Sequence, residues 1–164
     1  MAESTLANVS MKDIMVEDVK YLKETDTIGD AVEAFSKYRV GGFPVVDDSN
    51  RLVAYLSDGD IIHYILYRAG AQGLVFFKHW SDMDVDALAK AADAVSDETV
   101  MACATRNVRA AEADENLREV AQYMDRKKPK NMPVVRDGVL VGVISRNMLI
   151  KKFFEHYASA KAGK

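Results

Sequence analysis

Asn131 to Met148, NMPVVRDGVLVGVISRNM, restates a pattern already made by Gly42 to Asp60, GFPVVDDSNRLVAYLSDGD. Each passage is an apolar residue and a proline opening a Val-Val strand, then a turn, a second apolar strand, and a serine three residues ahead of a helix-like apolar run. Pro44 and Pro133, Val45 and Val134, and Val46 and Val135 stand 89 positions apart. Beyond the turn the offset is 88, for Leu52 with Leu140, Val53 with Val141 and Ser57 with Ser145. A turn absorbs a one-residue change without carrying strand side chains to the wrong face.

The repeat reaches upstream of the prolines. Thr27 with Asp30 three residues on reads as a helix start, and Ile28, Ala31, Val32 and Phe35 form an apolar stripe behind it. Asn116 and Glu119 open the second copy, followed by Leu117, Val120, Ala121 and Met124. Strand-like pieces at Val19–Leu22 and Val108–Ala111 precede these helices, and helices at Ile61–Ala69 and Met148–Ala158 follow each final serine. Asp137-Gly138 predicts a two-residue hairpin turn, and the first copy uses the longer Asp47–Asn50 turn.

Each copy is therefore β-α-β-β-α, and the fold class is α/β (α+β). One copy alone buries little surface, so two packed with pseudo-twofold symmetry are expected, as in repeat proteins generally. The expected parts are repeat 1 at 10–68, a partly helical insertion at 69–97, repeat 2 at 98–157 and a tail at 158–164. The insertion carries an apolar cluster, Leu74, Val75, Phe76, Phe77 and Trp80. Ser81 and Asp84 then read as a capping box for a helix with Val85, Leu88, Ala92 and Val95 on one face. The cluster suits packing against the halves, an oligomer contact or a lid over a cleft.

Composition narrows the class. With 22 basic and 25 acidic residues the net charge is −3, which advertises no polyanion, so no nucleic-acid partner is expected. The one cysteine, Cys103, forms no intramolecular disulfide, lacks activating neighbours and is read as a small buried residue. No apolar run approaches the roughly 20 residues of a membrane span, and MAESTLANVSMKD lacks the apolar core of a signal peptide. A cytoplasmic protein with no membrane association is the expectation. His63, His79 and His156 stand far apart, so no metal is expected. Glycine-rich phosphate loops, G-x-S-x-G and paired catalytic carboxylates do not occur, and no enzymatic activity is expected.

The duplicated unit, with G-F-P-V-V-D and L-S-D-G-D in its first copy, resembles the cystathionine β-synthase (CBS) domain, and two in tandem resemble the CBS pair or Bateman module. The resemblance covers Ser10–Arg68 and Glu98–Tyr157. It implies a non-catalytic regulatory module binding an adenine nucleotide (AMP, ADP or ATP, or else S-adenosylmethionine or NAD) between the halves. It further implies association into a homodimer and an effector protein as partner. In related sites an Asp three residues after Ser or Thr holds both ribose hydroxyls. The adenine is gripped mainly by the other half, through a Thr before its first strand, a small residue five later, and residues just ahead of its proline.

On that pattern one cleft is complete. Ser57 and Asp60 match Ser-x-x-Asp, Tyr55 lines the base, Thr105 matches the Thr, Ala110 the small residue, and Lys130 the basic side chain against phosphate. The chemistry agrees: a carboxylate accepts from two vicinal hydroxyls, a lysine places a point charge on phosphate, and a helix beginning near Asp60 offers N–H groups to an anion. The other cleft departs from the pattern, with Met148 for the Asp, Val16 for the Thr, Tyr21 for the small residue, and Ser145 retained. It is expected to be empty or to hold another kind of ligand, with Arg146 a candidate contact to a phosphate in the neighbouring site.

Each residue also has a plain structural role open to it. Asp60 suits a helix cap, Ser57 and Thr105 local turns, Ala110 packing, and Lys130 a solvated basic run, Arg126-Lys127-Lys128-Pro129-Lys130. The rival reading is a ligand-free structural or dimerisation module assembling through residues 74–80.

Overall fold

The computed structural model describes residues 8–70 and 85–162. The first copy runs β1 (Leu22–Lys23), α1 (Ile28–Tyr38), β2 (Gly42–Val46), β3 (Leu52–Ser57) and α2 (Asp58–Arg68). After α3 (Val85–Val95) and β4 (Thr105–Arg106), the second runs β5 (Ala111–Glu112), α4 (Leu117–Lys127), β6 (Asn131–Arg136), β7 (Val139–Ser145) and α5 (Arg146–Ala162). The fold is mixed α+β, with one sheet ordered β1-β2-β3-β4 and one ordered β5-β6-β7.

Local chemistry explains the elements. Thr27 caps α1 by accepting from the Asp30 N–H at 3.1 Å, and the Asp30 carboxylate accepts from the Thr27 N–H and hydroxyl at 2.9 Å each. These bonds hold the Asp30 carboxyl below its ordinary value of 3.8, the Thr27 backbone bond contributing most. Asn116 caps α4 by accepting from the Arg118 N–H at 2.8 Å. Both helices end in left-handed residues at equivalent positions, Arg39 and Lys128. Asp137 and Gly138, with φ of 53° and 82°, make the two-residue turn between β6 and β7.

The repeated prolines sit where a strand tolerates them. β1 pairs in parallel with Val45 and Val46, and β5 with Val134 and Val135, so Pro44 and Pro133 lie just outside those ladders. All five residues of β2 are buried, as its place inside the sheet requires.

The chain divides into two compact units that do not coincide with the two repeats. Of the described residues, one holds those of Tyr21–Asp48 and Val53–Val108, and the other those of Met1–Lys20, Ser49–Leu52 and Arg109–Lys164. Each repeat's leading segment thus belongs to the unit containing the other repeat's strands. Val100, in a 3-10 turn at Val100–Ala102, is fully buried with Ile28, Phe43, Val45, Ala54 and Leu56. Its repeat equivalent, Met11, is fully buried with Leu117, Val120, Met132, Val134 and Ile144. They are called below the Asp60 unit and the Met148 unit.

Several expectations need correction. The stripe on α1 is narrower than the sequence suggests, because Val32 is 47% exposed while Ile28 and Ala31 are buried. Helices α2 and α5 begin at Asp58 and Arg146, each directly after its serine, because that serine caps the helix. On α3 the expected stripe holds at Val95, which is buried, and at Leu88 and Ala92, which are half-buried, whereas Val85 is 72% exposed and Ala91, beside the stripe, is buried. Leu74 to Trp80 and the Ser81–Asp84 box lie outside the described residues. Among those described, no helix is long and apolar enough to cross a membrane.

Candidate functional site

In the Asp60 unit, β3 runs directly into α2 and β4 lies antiparallel to β3, with Tyr55 opposite Thr105 and Ala54 opposite Arg106. Residues 45 positions apart therefore meet: the Thr105 hydroxyl donates to Asp60 Oδ1 at 3.3 Å. The other carboxylate oxygen, Oδ2, accepts from the Ser57 N–H at 2.8 Å and the Ser57 hydroxyl at 2.6 Å. The Asp60 N–H in turn donates to Ser57 Oγ at 3.2 Å. Asp60 is thus the third residue of a capping box rather than the cap itself, which is Ser57.

The start of α2 is not an open anion cradle. The Asp58 N–H donates to the Gly41 carbonyl at 3.2 Å, the Gly59 N–H to Asp58 Oδ1 at 2.8 Å, and the Asp60 N–H to Ser57. Two carboxylates in this first turn use the positive end of the helix dipole, so the expectation of free N–H groups for an anion is not met.

Gly42 has a steric reason. A Cβ there would come within 2.6 Å of Tyr55 Cε1, so the missing side chain lets the Tyr55 ring lie against the strand. The second copy has Asn131 at this position. Cys103 is half-buried, and burial, with the negative charges of Asp60 and Glu98 adding to it, pushes its thiol up to about 11. It is a neutral thiol, donating weakly to the Val100 carbonyl at 3.8 Å. A further cluster, which the sequence reading missed, joins α2 to the segment before β4. The Tyr64 hydroxyl donates to Glu98 at 2.7 Å, and Arg68 pairs with Glu98 at 3.1 Å. The Glu98 bond raises the Tyr64 phenol above its usual value.

The Met148 unit has the same architecture with other side chains. Val16 pairs with Val143 of β7, as Thr105 pairs with Tyr55 of β3. The Met148 N–H donates to Ser145 Oγ at 3.3 Å, and Met148 Sδ accepts from the Ser145 N–H at 3.3 Å. A thioether therefore stands where the carboxylate stands in the other unit. Met15 crowds Gly142, where an added Cβ would meet its Cγ at 2.9 Å.

The remaining candidates are placed as follows. Ala110, half-buried, directly precedes β5, and its carbonyl accepts from Arg109. Lys130 is exposed just before β6, and its carbonyl accepts from the Arg146 N–H at 3.3 Å. Arg146 is exposed at the start of α5 and borders a groove of about 450 Å³ with Met124, Asp125, Lys128 and Phe153. Ala110, Lys130 and Arg146 belong to the Met148 unit, whereas Tyr21 belongs to the Asp60 unit, where it is 44% exposed. Tyr55, Ser57, Asp60 and Thr105 are the candidates brought together in one unit. Among the described residues no His, Cys, Asp and Glu group has the makings of a metal site.

The CBS-domain family model matches residues 11–67 and 97–155, and the chain belongs to that family as a tandem pair. An uncharacterized protein of Methanocaldococcus jannaschii, MJ1225, is 31% identical over 144 residues; the match takes in 88% of this chain and 42% of that relative, so the chain spans less than half its length. Among solved structures, Arabidopsis thaliana CBSX2 in complex with AMP superposes with a TM-score of 0.67 at 22% identity, over 89% of this chain and 96% of that one. The CBS domain pair of MJ0100, in complex with 5′-methylthioadenosine and S-adenosyl-L-methionine, superposes with a TM-score of 0.62 at 23% identity, over 90% and 97%.

Proposed function

We propose that this chain is a non-catalytic regulatory module whose two repeats, 10–68 and 98–157, bind one adenosine-containing ligand at Asp60. The observation that carries the reading is the convergence of Tyr55, Ser57, Asp60 and Thr105 on one sheet edge and helix start. Asp60 Oδ1 is the acceptor for the vicinal ribose hydroxyls, since Oδ2 already takes two donors from Ser57. The exposed strand β4 supplies an edge for the base. The N–H groups of Asp58, Gly59 and Asp60 that open α2 are engaged within the protein, so they do not serve the charge on the ligand. AMP bound to CBSX2 and S-adenosylmethionine bound to MJ0100 support an adenosine core and leave the group beyond the ribose open. The Met148 unit, with Met148 and Val16 in the equivalent places, takes no such ligand.

Titration calorimetry with AMP, ADP, ATP, NAD and S-adenosylmethionine tests this. One of them binds at one site per chain, and Asp60→Ala weakens it by about 1–3 kcal/mol, the range for a lost charge-assisted hydrogen bond. Two sites per chain, no heat at millimolar concentration, or an unchanged affinity in the variant rejects the reading.

Assembly is favoured by a separate observation. Ile150, Phe153, Phe154 and Tyr157 lie at helical spacing along α5 and are 51%, 38%, 69% and 65% exposed. The reading is a homodimer through this face, with an effector protein responding to it. Phe154→Asp returns the chain to a monomer in light scattering; a variant that stays dimeric removes the face from the interface. If no nucleotide raises the melting temperature and the variant still dissociates, assembly alone is the function.

A further inference from the structure

Asp60, Tyr64 and Arg68 follow one another at four-residue intervals along α2, which sets them on one face of the helix. The segment from Glu98 to Thr105 meets that face at both of its ends. At one end Glu98 accepts from the Tyr64 hydroxyl at 2.7 Å and pairs with Arg68 at 3.1 Å, and Arg68 donates to the Tyr64 oxygen at 3.3 Å. At the other the Thr105 hydroxyl donates to Asp60 Oδ1. We propose that Glu98 is a positioning residue for the adenosine-containing ligand: its grip on Tyr64 and Arg68 holds residues 98–105 in register with α2, so that Thr105 and Asp60 meet the ligand as a pair. This rests on the nucleotide reading of Asp60 given above and adds to it a residue that acts through Thr105.

The two units separate what the fold needs from what it does not. In the Asp60 unit the Glu98 carbonyl accepts from the Ile28 N–H at 2.9 Å, and in the Met148 unit the equivalent Val9 carbonyl accepts from the Leu117 N–H at 3.0 Å. That backbone bond ties the leading segment to the start of a helix in both. The side-chain grip has no counterpart at the equivalent positions. Val9 stands for Glu98, and Lys152 and His156 stand for Tyr64 and Arg68, with Lys152 paired to Glu155 of its own helix. The Glu98 carboxylate is thus additional to the shared fold, and it occurs in the unit that keeps Asp60 and Thr105. Most of its hold comes from Tyr64, because a hydrogen bond to a carboxylate is charge-assisted, whereas the Arg68 pair, with side chains 42% and 29% exposed, is weakened by solvent. Strand β4 is two residues long and exposed, and the Thr105 bond of 3.3 Å is already long, so a small slip of the segment breaks it.

Titration calorimetry on the full chain, with AMP and with S-adenosylmethionine, tests this through a double-mutant cycle. Glu98→Ala weakens the compound that binds by about tenfold and Tyr64→Phe by about threefold, while Glu98→Gln, which still accepts from both donors, recovers most of the loss. Placed on Thr105→Val, which is itself weakened, Glu98→Ala has little further effect, because Glu98 acts through Thr105. Losses that simply multiply overturn the proposal, since a carboxylate that only supports the fold lowers affinity independently of Thr105. A Glu98→Ala chain that binds as tightly as wild type overturns it too. Should Glu98→Ala fail to fold, Tyr64→Phe on Thr105→Val decides by the same rule. Asp60→Ala separates the two readings: a loss there with none at Glu98 leaves the nucleotide reading standing and ends the positioning role. A wild-type chain that binds neither compound, or an unaffected Asp60→Ala, ends both.

Discussion

Ser57–Asp60 and Ser145–Met148 are the same three-residue step from strand to helix, built with different acceptors. In both, the serine hydroxyl oxygen accepts from the N–H three residues on, at 3.2 and 3.3 Å. In the first, a carboxylate returns the favour to the serine N–H and hydroxyl and has an oxygen left for Thr105. In the second, one sulfur accepts a single N–H at 3.3 Å. The difference teaches that the backbone step serves the fold in both units, while only the carboxylate keeps an oxygen for a donor beyond the cap. The cores differ in the same direction. Phe35 stacks on Phe43 with centroids 5.3 Å apart in the Asp60 unit, and Met124 and Met132 hold the equivalent places in the other.

The largest effect that sharpens this comparison lies in those cores. Phe43→Ala removes a 2%-exposed ring stacked on another ring and costs about 3–5 kcal/mol in urea unfolding. Met132→Ala costs less, because flexible methionines close around a cavity more readily. An equal loss at both positions breaks the distinction between the cores. Smaller is the pair Ser57→Ala and Ser145→Ala. Ser57 supports both a cap and the Asp60 carboxylate, so its loss costs about 1–2 kcal/mol against about 0.5–1 for Ser145.

Smaller again is a gain. Met148→Asp restores a carboxylate to the first turn of α5, which has no acidic residue, and stabilises by about 0.3–1 kcal/mol, read as a higher melting temperature at pH 7. A fall in melting temperature shows that the sulfur was packing rather than capping. The smallest effect is on acid stability. Asp13 and Asp30 are depressed below 3.8, chiefly by backbone N–H bonds from Ser10 and Thr27. Their contribution is complete above the unfolded value and disappears as pH falls through the lower folded values. Asp30→Asn therefore flattens the loss of stability below about pH 4, and an unaltered acid limb denies the cap its charge.

Much of this was legible in the chain. The offset of 89 paired Val16 with Thr105 and Pro44 with Pro133, and the offset of 88 paired Asp60 with Met148, as the equivalent bridges and caps bear out. Helix starts at Thr27 and Asn116 were readable because capping is local chemistry. The exposed Val32 and Val85 were not, since periodicity names a stripe without saying which neighbour covers it.

By itself, then, the sequence determined the duplicated α+β unit, its caps and turns, and which copy carries the carboxylate. Each depends on residues near one another along the chain, or on direct comparison of the two copies. Only the tertiary structure decided that the leading segment of each repeat is grouped with the strands of the other, burying Met11 and Val100 and bringing Thr105 onto Asp60. It alone decided that the N–H groups opening α2 are already engaged. Pairing across such separations is selected by burial and by hydrogen bonds that close only in the folded chain, and no local pattern encodes it.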